Sequence, residues 1–284
     1  MIELNKIRER MQKSKIGDST NLNVDECFEE NVEESRVFTK EPIFIDEEKL
    51  QDREMVCVRT NAKKNRVNDE FRAIKHKLVN NAFGAGASSH KNGNLIMISS
   101  ATANEGKTFC SVNLAFILSL EKNKSVLLVD ADVLNPSVNK TLDIDNRPGL
   151  IDYLKGDTSN IEDIIYNTSI PNLRIMPAGQ SHHLSYELLA SDKMLALAQE
   201  LASRYSDRIV LFDCPPLLGV IETISLSKLV GQVVVVVEHN KTKMASIKEA
   251  VSQLDSKLAI GFIMNKSVNN KLSQYGYGYG YGYG

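Results

Sequence analysis

Six short apolar runs follow one another from Asn94 onward: NLIMISS, SVLLVDAD, LRIMPAG, RIVLFDCPP, QVVVVVEH and LAIGFIMN. Each is rich in Val, Ile and Leu, too short for a helix, and free of the polar alternation that marks a half-buried strand. Continuous runs of this kind form strands buried on both faces, as in a parallel sheet covered by helices. Stretches with helical spacing separate several of them: TFCSVNLAFILSLEK after the first, YELLASDKMLALAQELASRY before the fourth, MASIKEAVSQLD before the last. The alternation predicts an α/β fold with a doubly wound, mostly parallel sheet. Upstream, NDEFRAIKHKLVNNAFG sets Phe71, Ile74 and Leu78 at i, i+3 and i+7. That spacing predicts a helix over 69–82, capped by Asn68 and stopped by Gly84.

The two ends of the chain lack these patterns. Residues 1–68 are polar and charge-rich, with an acidic stretch, NVDECFEENVEESRVF, that has no convincing period. They read as a flexible N-terminal arm suited to docking a partner. At the other end, QYGYGYGYGYG alternates Tyr with Gly, and five of the nine tyrosines stand in this segment. Glycine at every second position makes an isolated strand poor, so the segment reads as a disordered tail. Such a tail is an adhesive, an aggregation-prone segment or a presented row of modification sites.

Composition narrows the classes. A net charge of −2 gives no electrostatic case for nucleic acid. Cys27, Cys57, Cys110 and Cys214 are scattered without C-x-x-C pairing, which favours reduced thiols over a disulfide framework or a zinc site. Apolar runs fall short of the ~18 residues that span a bilayer, and the opening MIELNKIRER carries charge where a signal peptide is apolar. A cytoplasmic location is expected.

In doubly wound folds, ligands bind at the carboxyl ends of the strands. The first strand runs into ATANEGKT, residues 101–108, a P-loop pattern with Ala101 where Gly is commonest. Around such a turn Ala103, Asn104, Glu105, Gly106, Lys107, Thr108 and Phe109 enclose phosphate oxygens with backbone amides and a helix N-terminus. Lys107 supplies a mobile charge for β- and γ-phosphates, and Thr108 a hydroxyl for Mg²⁺. The second strand ends in Asp130 and Asp132. Taken alone these are equally read as polar residues leaving a sheet. The fourth ends in Asp213 before two prolines, the look of a Walker B carboxylate. Together the three strand ends predict a site for ATP with Mg²⁺ and no other metal. His182, His183 and Glu187 lack ligand spacing, and the two histidines are expected to point apart. Cys110 and Cys214 read as packing residues.

With those pieces in place, residues 69–284 resemble the bacterial protein-tyrosine kinases of polysaccharide export. The P-loop, the DAD and DCPP motifs, PNLRIMPAG, YELLAS and the Tyr-rich tail carry the resemblance. It implies a P-loop NTPase fold like that of the Par and Min partition ATPases. It implies Asp130 as base and metal contact, with Asp132 and Asp213 organising Mg²⁺, and Asn265 at the adenine. It implies autophosphorylation in trans on Tyr275, Tyr277, Tyr279, Tyr281 and Tyr283. A ring-like homo-oligomer is implied too, where Asp69, Arg72 and Lys75 occupy the family's E-x-x-R-x-x-R interface positions; Lys75 lacks the bidentate reach of Arg. An inner-membrane polysaccharide chain-length determinant protein is the implied activator, holding the chain at the membrane periphery. Leu134 departs from the family's D-x-D-x-R. Two alternatives stand beside this reading: a partition-type ATPase switch, opposed by the lack of its signature lysine, and a nucleotide-binding scaffold that docks through residues 1–68.

Overall fold

The computed structural model describes residues 40–58, 66–84, 87, 91–204 and 207–267. The tyrosine tail and the arm up to residue 39 lie outside them. Along the chain run α1 (Glu47–Gln51), α2 (Arg66–Phe83), β1 (Leu95–Ser100), α3 (Lys107–Ser119), β2 (Ser125–Asp130), α4 (Val138–Leu142) and α5 (Leu150–Lys155). A 3₁₀ turn (Ile161–Ile164) leads to β3 (Tyr166–Asn167) and β4 (Leu173–Met176). Then come α6 (Ser185–Leu189), α7 (Asp192–Ser203), β5 (Arg208–Asp213), α8 (Ile221–Ser227), β6 (Gln232–Glu238), α9 (Met244–Ser252) and β7 (Ala259–Asn265).

All six apolar runs are strands, in one sheet of order β3-β4-β2-β5-β1-β6-β7. Every pairing among those six is parallel; only the two-residue β3 runs antiparallel, at the edge. Period-2 alternation sends successive residues to opposite faces. Ile96, Ile98, Val126, Leu128, Ile209 and Leu211 pack on one side with α2 and α3. Leu95, Met97, Leu127, Val129, Val210 and Phe212 pack on the other with α7 and α8. Through β1, β2, β5 and β6 neither face meets water, which is why those runs are apolar nearly throughout, whereas the edge strand β7 leaves Phe262 and Met264 exposed. Helix α3 is buried along nearly its whole length, between the sheet and α2, and its all-round apolar sequence follows from that.

Three local features depart from expectation. Helix α2 begins at Arg66, so Asn68 is a buried residue inside it and not its cap; Gly84 follows its last residue. The YELLAS segment and the helix after it are two helices, because Ser191 caps α7 by accepting from Met194 N–H at 3.3 Å. The third departure is larger. Residues 40–58, read from sequence as part of the arm, are packed into the first core through Ile43, Ile45, Leu50, Met55 and Val56. Ile43 bridges to Thr168 in parallel, donating to Asn167 O at 2.8 Å and accepting from Ser169 N–H at 2.8 Å. Val56 N–H donates to Asn113 Oδ1 on α3 at 2.6 Å, so the segment is tied to the helix that carries the P-loop.

Residues 40–58 therefore share a core with the sheet and are not a free arm. A chain starting at residue 69 is expected to be less stable than one starting at residue 40 by at least about 3 kcal/mol, since five buried apolar side chains lose their places. Urea unfolding measures the difference; equal midpoints would show that the segment merely lies against the core.

Candidate active site

Strand β1 delivers the chain to the P-loop at the middle of the sheet, where the strand order reverses direction on either side. Ala101 is fully buried in the second core and has no positive φ, so alanine is accommodated where glycine is commoner. Gly106 is required on two counts. Its φ is +93°, and a Cβ there would lie 2.0 Å from Asn265 Nδ2. Asn104 takes the other left-handed turn, φ 66°, which asparagine tolerates.

The loop is braced from behind. Buried Glu105 accepts from Thr102 N–H at 3.0 Å and from the Thr242 hydroxyl, which itself accepts from Glu238 N–H at 2.9 Å. Asn265 Nδ2 donates to Glu105 O at 2.9 Å, and Lys266 Nζ to Asn104 O at 2.7 Å. The ends of β6 and β7 thus hold the P-loop in shape. A cleft of about 280 Å³ opens there, bordered by Ala103, Glu105, Glu238 and Thr242. Phe109 turns its ring toward Phe71 of α2, centroids 6.4 Å apart, leaving only its backbone to the loop.

In front, Lys107, Thr108, Asp130, Asp132 and Asp213 converge, as the sequence predicted. Asp130 and Asp213 are register partners on adjacent strands β2 and β5. Thr108 Oγ1 donates to Asp213 Oδ2 at 2.6 Å, and Ser111 Oγ to Asp213 Oδ1 at 2.9 Å. Lys107 Nζ lies 3.6 Å from Asp132 Oδ2. Asp130 is differently employed: Oδ1 accepts from Asp132 N–H, and Oδ2 from Ser137 and Val138 N–H at 3.1 and 3.0 Å. It pins the turn that follows its own strand.

The three carboxylates are 1%, 5% and 0% exposed. Burial raises all of them above the usual range, and other contacts modulate each. Asp130 rises further because Asp213 is beside it, Asp132 is partly restored by Lys107, and Asp213 stands at about 6 despite its hydroxyl donors. One lysine does not balance three buried acids. A site built of carboxylate and hydroxyl oxygens, short of positive charge, fits a hard divalent cation of the Mg²⁺ kind. Thr108, Asp213 and the Asp130–Asp132 segment would hold it.

Sequence reasoning missed Ser111, Ser137 and the side chain of Glu105. Ser137 Oγ lies 2.6 Å from Thr108 Oγ1. Its signal was its place directly before α4, on the turn that Asp130 holds. On α2, Asp69 and Arg72 pair with each other at 3.3 Å on the exposed surface, while Lys75 turns inward to Glu121 at 2.6 Å. Tyr275, Tyr277, Tyr279, Tyr281 and Tyr283 lie outside the described residues. His182 and His183 do not point apart; their ring centroids are 4.2 Å apart with the planes tilted at 39°. Among the described residues no three or more His, Cys, Asp or Glu side chains are arranged to hold a metal by themselves, the three strand-end acids included, so Mg²⁺ there would need nucleotide phosphates as further ligands. The Cys110 and Cys214 thiols are buried and raised by that burial, Cys110 to about 12, which suits packing residues. A cleft of about 550 Å³ opens at the opposite edge, between the amino ends of β2 and β5, and contains none of these groups. Among the described residues, no helix is long and apolar enough to cross a membrane.

Residues 93–271 match the AAA domain family. The chain is 34% identical over 184 residues to the tyrosine-protein kinase YwqD of Bacillus subtilis, covering 64% of this chain and 76% of that one. It is 33% identical over 174 residues to the tyrosine-protein kinase ptk of Acinetobacter johnsonii, 61% of this chain and 23% of that protein. The first curated relatives are thus spanned over only about a fifth of their length. Among solved structures, the kinase domain of VpsO superposes with a TM-score of 0.60 at 27% identity, covering 71% of this chain and 96% of that domain.

Asp213 keeps its proton in the folded chain up to about 6, whereas an unfolded chain releases it near 3.8. Its ionisation therefore costs the folded state stability as pH rises between those values, and the loss persists above. Compared with the native chain in EDTA, Asp213→Asn is expected to gain relative stability from pH 3.8 through about 6 and hold a constant advantage beyond. Urea unfolding across that range tests it; a difference independent of pH would contradict the assignment.

Proposed function

We propose that this chain, which belongs to the AAA domain family and within it to the bacterial protein-tyrosine kinases, transfers the γ-phosphate of MgATP to tyrosine. The acceptors are Tyr275, Tyr277, Tyr279, Tyr281 and Tyr283 of another copy. The observation that carries this reading is the convergence of Lys107, Thr108, Asp132 and Asp213 in one crevice of a chain that also bears five tyrosines in a row.

The residues divide the work by chemistry. Backbone amides of the loop from Ala103 to Thr108 and the N-terminus of α3 receive phosphate oxygens. Lys107 exchanges Asp132 for the β- and γ-phosphates, and its charge stabilises the transferring group. Mg²⁺, when bound, supplies further stabilisation of phosphate charge. A phenol with pKa near 10 is protonated at neutral pH and needs an acceptor as transfer proceeds. Asp130 carries three backbone N–H donors on its two oxygens, whereas Asp132 is freed when Lys107 moves to the phosphates, so Asp132 takes that proton. The phenol oxygen bonds to the γ-phosphorus while the bridge to ADP breaks. Asn265, tied to the loop carbonyl of Glu105, places the edge of the cleft where the base would rest.

Regulation follows from charge. Each phosphate adds roughly −1.5 to −2, so a full row brings about −8 to −10 onto one tail. Unphosphorylated tails dock on neighbours in a ring, with Asp69 and Arg72 of α2 at the contact, and accumulated charge releases them. The cycle takes place on the cytoplasmic side of the inner membrane, beside a polysaccharide chain-length determinant protein that activates the enzyme. It governs the length or export of an exopolysaccharide.

Mass-spectrometric mapping after incubation with MgATP tests the activity. Phosphotyrosine is expected in residues 275–284 of the native chain and absent from Lys107→Met. Hydrolysis to free phosphate with bare tyrosines would favour a partition-type ATPase switch.

A further inference from the structure

Ser137 belongs to none of the motifs, yet its hydroxyl sits among the oxygens that would receive the cation. It lies 2.6 Å from Thr108 Oγ1, and Thr108 donates to Asp213 Oδ2 at 2.6 Å. A hydroxyl has one proton and two lone pairs. With the Thr108 proton given to Asp213, the proton between the two hydroxyls is that of Ser137. The three groups form a directed chain: Ser137 O–H to Thr108, Thr108 O–H to Asp213. One lone pair of the P-loop hydroxyl is thereby occupied from the side of the acids.

The backbone of Ser137 is not free to drift. Its N–H and that of Val138 both donate to Asp130 Oδ2, at 3.1 and 3.0 Å. Its carbonyl accepts from Thr141 N–H at 2.9 Å in the first turn of α4. Rotation about χ1 and about the Cβ–Oγ bond is the freedom left to the hydroxyl, and either separates the Ser137 proton from Thr108 without disturbing the turn. In the absence of a cation this proton is a positive dipole placed beside Thr108 and Asp213, where positive charge is scarce.

We propose that Ser137 is a positioning residue whose hydroxyl occupies one of the two Thr108 lone pairs in the nucleotide-free protein and so competes with a divalent cation for the Thr108 oxygen. It therefore sets how much Mg²⁺ the site demands. This rests on the reading of the crevice as a site for MgATP, and it concerns a residue that reading does not use.

The test is binding of N-methylanthraniloyl-ADP to the full chain, followed by fluorescence over a Mg²⁺ titration and again in EDTA. Removing a competing hydrogen bond is expected to lower the Mg²⁺ midpoint of Ser137→Ala about threefold to tenfold. Affinity in EDTA should stay at the native value, and Ser137→Thr, which keeps the hydroxyl, should keep the native midpoint. Should Ser137→Ala fail to fold, Ser137→Cys carries the test, since a thiol is a weaker donor and its midpoint should also fall. An unchanged or raised midpoint in the alanine variant, or a threonine variant that behaves like alanine, would overturn the proposal. Native binding indifferent to Mg²⁺ would instead overturn the MgATP reading, and the proposal with it.

Discussion

Asp130 and Asp213 stand side by side at the carboxyl ends of β2 and β5, and both are almost sealed from water. Two carboxylates in that position repel each other and lose hydration, and Asp132 adds a third on the following turn. Much of the surrounding structure acts as a partial answer to that charge. Hydroxyls of Thr108 and Ser111 donate to Asp213, three backbone N–H groups to Asp130, and the Lys107 ammonium approaches Asp132. Among them only Lys107 brings a full positive charge, one against three buried acids. The deficit suits the crevice to a cation, and the proposed function gives the phosphate-binding loop and the acidic cluster a reason to share one site. On the function proposed above, the cation that relieves the acids is the one that accompanies a nucleotide.

The shape of the crevice is kept by groups outside the chemistry. Glu105, at the heart of the loop, directs its carboxylate back to Thr102 N–H and the Thr242 hydroxyl, away from the place of phosphate. Asn265 occupies the space that any side chain at position 106 would need. The turn after β6 and the end of β7 therefore fix the loop from one side, and α2 with residues 40–58 supports α3 from the other. Lys107 and Thr108 sit in the first turn of that helix, so the buried bond from Val56 to Asn113 is mechanically connected to the site.

Strands and phosphate loop were legible in the sequence because each is dictated by local chemistry. A strand buried on both faces has to be apolar throughout, and a loop that turns amides inward has to place Gly106, Lys107 and Thr108 in order. The acids were legible as types at strand ends, but their division of labour was not. Asp130 and Asp132 are two residues apart and look alike, and only the folded turn shows that Asp130 accepts three backbone N–H groups while Asp132 faces Lys107. Residues 40–58 escaped because their apolar residues are few, interrupted by charge, and buried by partners distant in sequence. Ser137 and Thr242 escaped for a similar reason: a serine or threonine acquires a role only from what tertiary packing brings within reach.

A kinase that acts on copies of itself separates donor from acceptor. Lys107→Met, with its tyrosines intact, is the acceptor; a chain lacking residues 275–284, with its P-loop intact, is the donor. Phosphotyrosine measured on the mixed chains after addition of MgATP tests the account most directly. The account predicts phosphate on the Lys107→Met chain only when the truncated chain is present. Bare tyrosines on that chain, beside nucleotide turnover by the truncated one, would contradict it.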